Sequence, residues 1–103
     1  MSSTQSIIDR LIVKALHKGA SDLHISSGAE SLMRVNGELT EVEKQVVSQR
    51  QISSWLESIL EPESVAELDS HGDIDFAHTV DDRVRVRVSA FSQQGGSSLA
   101  IRL

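Results

Sequence analysis

"DIDFAHTVDDRVRVRVSAF", Asp73 to Phe91, is the stretch on which the fold turns. Both of its halves alternate apolar and polar residues, the period of a β-strand whose side chains point to opposite faces of a sheet. Val84, Val86, Val88 and Ala90 then face a core, while Arg83, Arg85 and Arg87 share the other face. The two halves pair as a hairpin when Phe76 meets Val86 and Ile74 meets Val88, across a turn at Val80-Asp81-Asp82. A slip of one residue would turn the charges into the core, so the apolar matching fixes the faces. In this register Asp75 lies opposite Arg87, and Ala77 lies opposite Arg85. Asp75 thus gives Arg87 a structural partner, whereas Arg83 and Arg85 have no carboxylate opposite them. Neighbouring arginines on one face are roughly 7 Å apart and repel by about 0.6 kcal/mol even in bulk water. A row held at that cost suits a bidentate anion such as phosphate or a carboxylate, although a solvated sheet face gives the same pattern.

Working outward, "IIDRLIVKALHKG" carries Ile7, Ile8, Leu11, Ile12, Ala15 and Leu16 at helical spacing, with Ser/Thr caps before it and Gly19 after it. Asp22–Ser26 and "SLMRV" read as short strands. Asn36-Gly37 is a hairpin turn into a third strand at Glu38–Val42. Ile52, Trp55, Leu56, Ile59 and Leu60 return to helical spacing behind Ser48 as N-cap, which buries Trp55 with Ile52, Ile59 and the valines. Pro62 opens another helix that Gly72 closes. After the arginine strand, Gln93 to Ser98 reads as a Gly/Ser-rich connection into a last strand, "SLAIRL". The order is helix, three strands, two helices, three strands. Short connections make this an α+β domain, a mainly antiparallel sheet of about six strands with three helices on one face and PAS-like proportions.

Composition narrows the function. At 103 residues the chain is one domain, residues 1–103, with a single modest core. It has no cysteine, which excludes disulfides and thiolate metal sites and points to a reducing cytoplasm. No apolar run reaches the roughly 20 residues of a membrane span. A formal charge of −5 argues against nucleic acid as a partner. The final "LAIRL" reads as a strand that stops without a tail, the ending expected of a fragment.

Few residues announce chemistry. There is no G-x-x-x-x-G-K-[ST], and Gly95-Gly96 without a lysine reads as a hairpin turn. His17, His24, His71 and His78 lack metal-ligand spacing, and no metal is expected. Asp73 and Asp75 share one strand face and could form a hydrolytic dyad, but the arginine strand beside them favours charge pairing. Asp22 and His24 alternate with Leu23 and Ile25 and read as structural, with Asp22 accepting hydrogen bonds.

Four segments, in order, resemble the secretion ATPases of the PilT and GspE type. They are "GASDLHIS" (19–26), "MRVNGEL" (33–39), "DIDFAH" (73–78) and "RVRVSAFSQQGGSSLAIRL" (85–103). The "VSAF" alternation resembles the pilus-retraction branch more than the assembly branch. The resemblance implies a PAS-like N-terminal domain that precedes a RecA-like ATPase domain. That second domain, with its Walker A loop, is absent from this chain, so no activity is expected of the fragment alone. The full-length parent would be an ATPase using ATP and Mg²⁺, a homohexamer driving type IV pilus retraction, twitching motility or type II secretion. Its implied partners are neighbouring subunits and an inner-membrane platform protein, and its implied place is cytoplasmic, peripheral at a bacterial inner membrane. Carried over by position, Arg85 and Arg87 would approach the nucleotide across the domain cleft, and Arg83 is a possible addition. A stand-alone PAS-like ligand-sensing or protein-interaction module is the alternative reading. It would need an enclosed cavity of some hundreds of Å³, which these aliphatic residues are poorly suited to line.

Overall fold

The first two helices among the described residues begin where a side chain satisfies free N–H groups, and the third begins on a proline without such a cap. In the computed structural model, which describes residues 6–93 and 95–103, α1 spans Ile7–His17. Its cap is Ser6, whose hydroxyl accepts from the Asp9 N–H at 3.0 Å. The earlier Ser/Thr candidates lie outside the described residues. Helix α2, Gln49–Ile59, opens with a reciprocal capping box. Ser48 Oγ accepts from the Gln51 N–H at 3.1 Å, and Gln51 Oε1 accepts from the Ser48 N–H at 2.8 Å. Helix α3, Pro62–His71, starts on the proline and ends at Gly72, whose φ of 89° is left-handed.

Six strands form one sheet: β1 Asp22–Ser26, β2 Ala29–Val35, β3 Glu38–Val47, β4 Asp73–Val80, β5 Val84–Gln93 and β6 Gly96–Arg102. Their order is β3-β2-β1-β6-β5-β4, with antiparallel pairing at every step. The expected α+β architecture is therefore present. After β3 at one edge, α2 and α3 carry the chain over to β4 at the other. Ile8, Leu11, Ile12 and Ala15 of α1 and Ile52, Trp55 and Leu56 of α2 are buried. They meet Leu23, Ile25, Val86, Val88, Leu99 and Ile101 of the central strands in one core cluster. At roughly 1.5–3 kcal/mol for each fully buried large aliphatic side chain, this layer is the main source of stability. No helix among the described residues is long and apolar enough to cross a membrane.

Three details of the sheet differ from the sequence expectations. Strand β3 continues to Val47 past an irregularity in its pairing with β2 between Glu30 and Leu32. Strands β5 and β6 extend to Gln93 and from Gly96, so the expected Gln93–Ser98 connection is mostly ladder; Gln94 lies outside the described residues. Gly96 has φ 138°, and a Cβ there would collide with the Ser27 hydroxyl.

The third difference is the hairpin register. Phe76 pairs with Val88 and Ile74 with Ala90, two residues beyond the expected partners. Asp81 and Asp82, at φ 55° and 57°, make a left-handed bend, and the Arg83 N–H donates to the Val80 carbonyl at 3.0 Å. Aspartate tolerates this conformation better than most residues. The longer reach pairs Val80 with Val84 and leaves Val80 only 1% exposed instead of spending it in the turn.

Candidate functional site

Helices cover one face of the sheet and leave the other open, and the polar alternate residues of every strand collect on that open face. One row across the ladders reads Leu39, Arg34, Asp22, Arg102, Arg87 and Ala77, each opposite the next. Arg87 and Arg102 are exposed neighbours, one on β5 and one on β6. With Asp22, His24, Ser89, Ala100 and Ile101 they line a depression of about 390 Å³.

The expected residues fall in different places. Arg87 is in this depression, but its partner on β4 is Ala77, so the expected Asp75–Arg87 pairing is incorrect. Asp75 lies opposite Ser89, whose hydroxyl donates to Asp75 Oδ1. Arg85 is one step toward the turn, opposite Thr79, and its Nη1 donates to Thr79 Oγ1 at 3.4 Å. Arg83 precedes β5 and belongs to the turn, not to the strand row. Asp73 stands opposite Phe91. Arg102 and Arg34 were not singled out from sequence. Each is a lone arginine in its own segment, and only strand order brings both into one row.

Charges of both signs lie along the open face. At the β2–β3 end the Glu41 side chain raises the Glu30 pKa from its ordinary value, through a hydrogen bond first and like-charge repulsion second. Leu32, Leu39 and Val46 are exposed on these two strands. Arg34 accompanies these carboxylates on β2, and Asp73 and Asp75 of β4 share the face of the β5 arginines, so both signs occur at each end.

On the helical side, His78 is engaged with Asp9. Its Nε2 lies 3.1 Å from Asp9 Oδ1, which also accepts from the Trp55 indole N–H at 3.0 Å. His17, His24 and His71 are exposed on other elements, and no metal-binding group of His, Cys, Asp or Glu occurs among the described residues.

The donor set suits phosphate oxygens. Two planar guanidinium groups, Arg87 and Arg102, line one hollow, while the Ser89 hydroxyl is already engaged with Asp75, and bidentate arginine contacts are strong and directional. By its architecture this is an α+β domain with one helical face and one open, arginine-bearing face. No family model matches the chain. It is, however, 27% identical over 95 residues to the type IV pilus retraction ATPase PilT of Pseudomonas aeruginosa, covering 92% of this chain and 28% of that protein. The crystal structure of the pilus retraction motor PilT with bound ADP superposes with a TM-score of 0.81 at 24% identity, over 97% of this chain and 29% of the motor. The Legionella pneumophila ATPase DotB gives a TM-score of 0.81, again at 24% identity, over 99% of this chain and 30% of DotB. The chain is thus similar in sequence to PilT and in fold to part of the PilT and DotB ATPases. The chain spans under a third of the length of these relatives.

Proposed function

We propose that this domain serves a hexameric motor ATPase powering type IV pilus retraction or a related secretion system. Its role is to present arginines to a nucleotide held by an ATPase domain. The observation that carries the reading is the Arg87–Arg102 pair, two guanidinium groups set side by side on the open face of a fold shared with an ADP-bearing motor. Arg85 stands one alternate position along the same strand, and Arg83, in the turn before it, is the weaker addition.

In this reading ATP with Mg²⁺ supplies the phosphoryl chemistry and binds through the ATPase domain, since this chain has no Walker A loop. Arg87 and Arg102 donate to phosphate oxygens when the two domains close, and their charge offsets the negative charge spread over those oxygens. Neighbouring subunits of a homohexamer and an inner-membrane platform protein are the partners, and the cytoplasmic side of a bacterial inner membrane is the place of action.

The test is turnover in the full-length parent, whose reading frame should encode a Walker A motif after Leu103. Arginine fingers contribute roughly 10³–10⁵-fold in other phosphoryl-transfer systems. With the role divided, Arg85→Ala, Arg87→Ala and Arg102→Ala should each slow ATP hydrolysis by about tenfold or more. Unchanged turnover in all three, with folded protein, would sink the reading.

A further inference from the structure

We propose that Asp22 is the counter-charge of the arginine pair and limits how tightly the open face takes up a free polyphosphate. The inference rests on the reading of Arg87 and Arg102 as phosphate-facing residues, and it adds a selectivity residue to that surface.

The register puts Asp22 directly opposite Arg102 on β6 and directly opposite Arg34 on β2. Its two arginine neighbours are not equivalent. Arg34 Nη1 donates to the Gly37 carbonyl at 2.9 Å, which ties that guanidinium to the β2–β3 turn. Arg102 instead lines the same depression as Asp22 and Arg87. The carboxylate is also fixed in place, because the Ser21 hydroxyl donates to Asp22 Oδ2 at 2.7 Å. The depression is therefore lined side by side by two cations, Arg87 and Arg102, and on the next strand by the carboxylate of Asp22 with His24.

This arrangement has two electrostatic consequences. Before any ligand arrives, Asp22 offsets the repulsion between two arginines that stand opposite each other. A polyphosphate entering the depression must then share those arginines with a carboxylate of its own sign. Only an anion carried in by a second surface, which adds contacts of its own, gains enough to be held. Asp22 thereby keeps the open face from filling with loose phosphate while leaving the arginines available for a presented one.

The experiment is a titration of the ¹⁵N-labelled 103-residue chain with sodium tripolyphosphate at low ionic strength, following amide shifts of β1, β5 and β6. Three proteins are compared: the parent sequence, Asp22→Asn, and the double variant Arg87→Ala/Arg102→Ala. Asparagine keeps the size of Asp22 and its acceptor for Ser21, and melting curves establish that all three are folded. Removing one unit charge a few ångströms from the ligand should tighten binding roughly three- to tenfold. The gain should shrink when salt is added. The double variant should lose binding. If Asp22→Asn matches the parent sequence while the double variant loses binding, the proposal is overturned and the phosphate reading stands. If the double variant binds as well as the parent sequence, the phosphate reading and the proposal fall together; if no form binds, Asp22→Asn included, the proposal alone is overturned, since the arginines' role with a presented nucleotide is read by turnover.

Discussion

Arg87 and Arg102 stand directly opposite one another across the β5–β6 ladder, a like-charge pair on the exposed face of a sheet. Like charges in that position destabilise a ladder, on a scale of roughly 0.2–1 kcal/mol. Folding alone therefore gives no reason to set the two arginines side by side. Arg87→Gln should leave the isolated chain as stable as the parent sequence, or more stable by up to about 0.5 kcal/mol at low salt. Urea unfolding at two salt concentrations checks this. A loss of several kcal/mol would make the row a structural element.

Asp75 was expected to hold Arg87 and instead accepts from Ser89. Replacing Asp75 by Ala should then cost only the net value of one exposed charge-assisted hydrogen bond, about 1 kcal/mol. Asp75→Ala and Ser89→Ala should couple in a double-mutant cycle, while Asp75→Ala and Arg87→Ala should be close to additive. Strong coupling to Arg87 would restore the expected pairing.

That error shows what alternation can and cannot encode. A strand slipped by one residue exposes its core, so Val84, Val86, Val88 and Ala90 are legible as buried from spacing alone. A slip of two keeps every residue on its face, and the apolar pattern is indifferent to it. The choice was made by the turn, where Asp81 and Asp82 accept positive φ and let Val80 reach the core. The caps at Ser48, Pro62 and Gly72 were legible because each rests on a local hydrogen bond or fixed dihedral. Arg102 was not, because its neighbour is 15 residues away in sequence (102 − 87) and meets it only through strand order. The open-face row is a property of the sheet, and no single segment carries it.

Glu43 supplies a pH-dependent tie between α1 and β3. Arg10 grips its carboxylate with two bonds, Nη1–Oε1 at 2.8 Å and Nη2–Oε2 at 3.0 Å, and Lys14 Nζ adds a third at 3.1 Å. The hydrogen bonds from Arg10 and then Lys14 hold the Glu43 pKa below its ordinary value. A depressed carboxylate pKa contributes stability above the unfolded-state value, near 4.3, and that contribution disappears as pH falls through the folded value. Arg10 and Lys14 are substantially exposed, so Glu43→Gln should cost only about 0.5–1 kcal/mol at pH 7. The difference between the two proteins should shrink steadily in melting curves as pH is lowered below the unfolded-state value. A difference that does not shrink would mean that packing, not charge, is responsible.

Trp55 joins three elements. Its ring is 3% exposed on α2, and its indole N–H donates to Asp9 of α1 at 3.0 Å. It meets His78 of β4 edge-on at 5.2 Å between centroids and Phe76 at 6.2 Å. Its emission should accordingly be blue-shifted and resistant to quenching by iodide. Trp55→Phe keeps an aromatic body but removes the donor, and a hydrogen bond to a charged group contributes about 1.5–3 kcal/mol. Asp9→Asn tests the same bond from the other side, and the two changes should couple by at least about 0.5 kcal/mol. Far-UV circular dichroism in urea reads both variants, since the first has no tryptophan. Additive losses would mean that Trp55 stabilises the helical layer by volume alone. Coupled losses would identify Asp9 as the residue that fixes α1 against α2 and β4, on the face opposite the arginines.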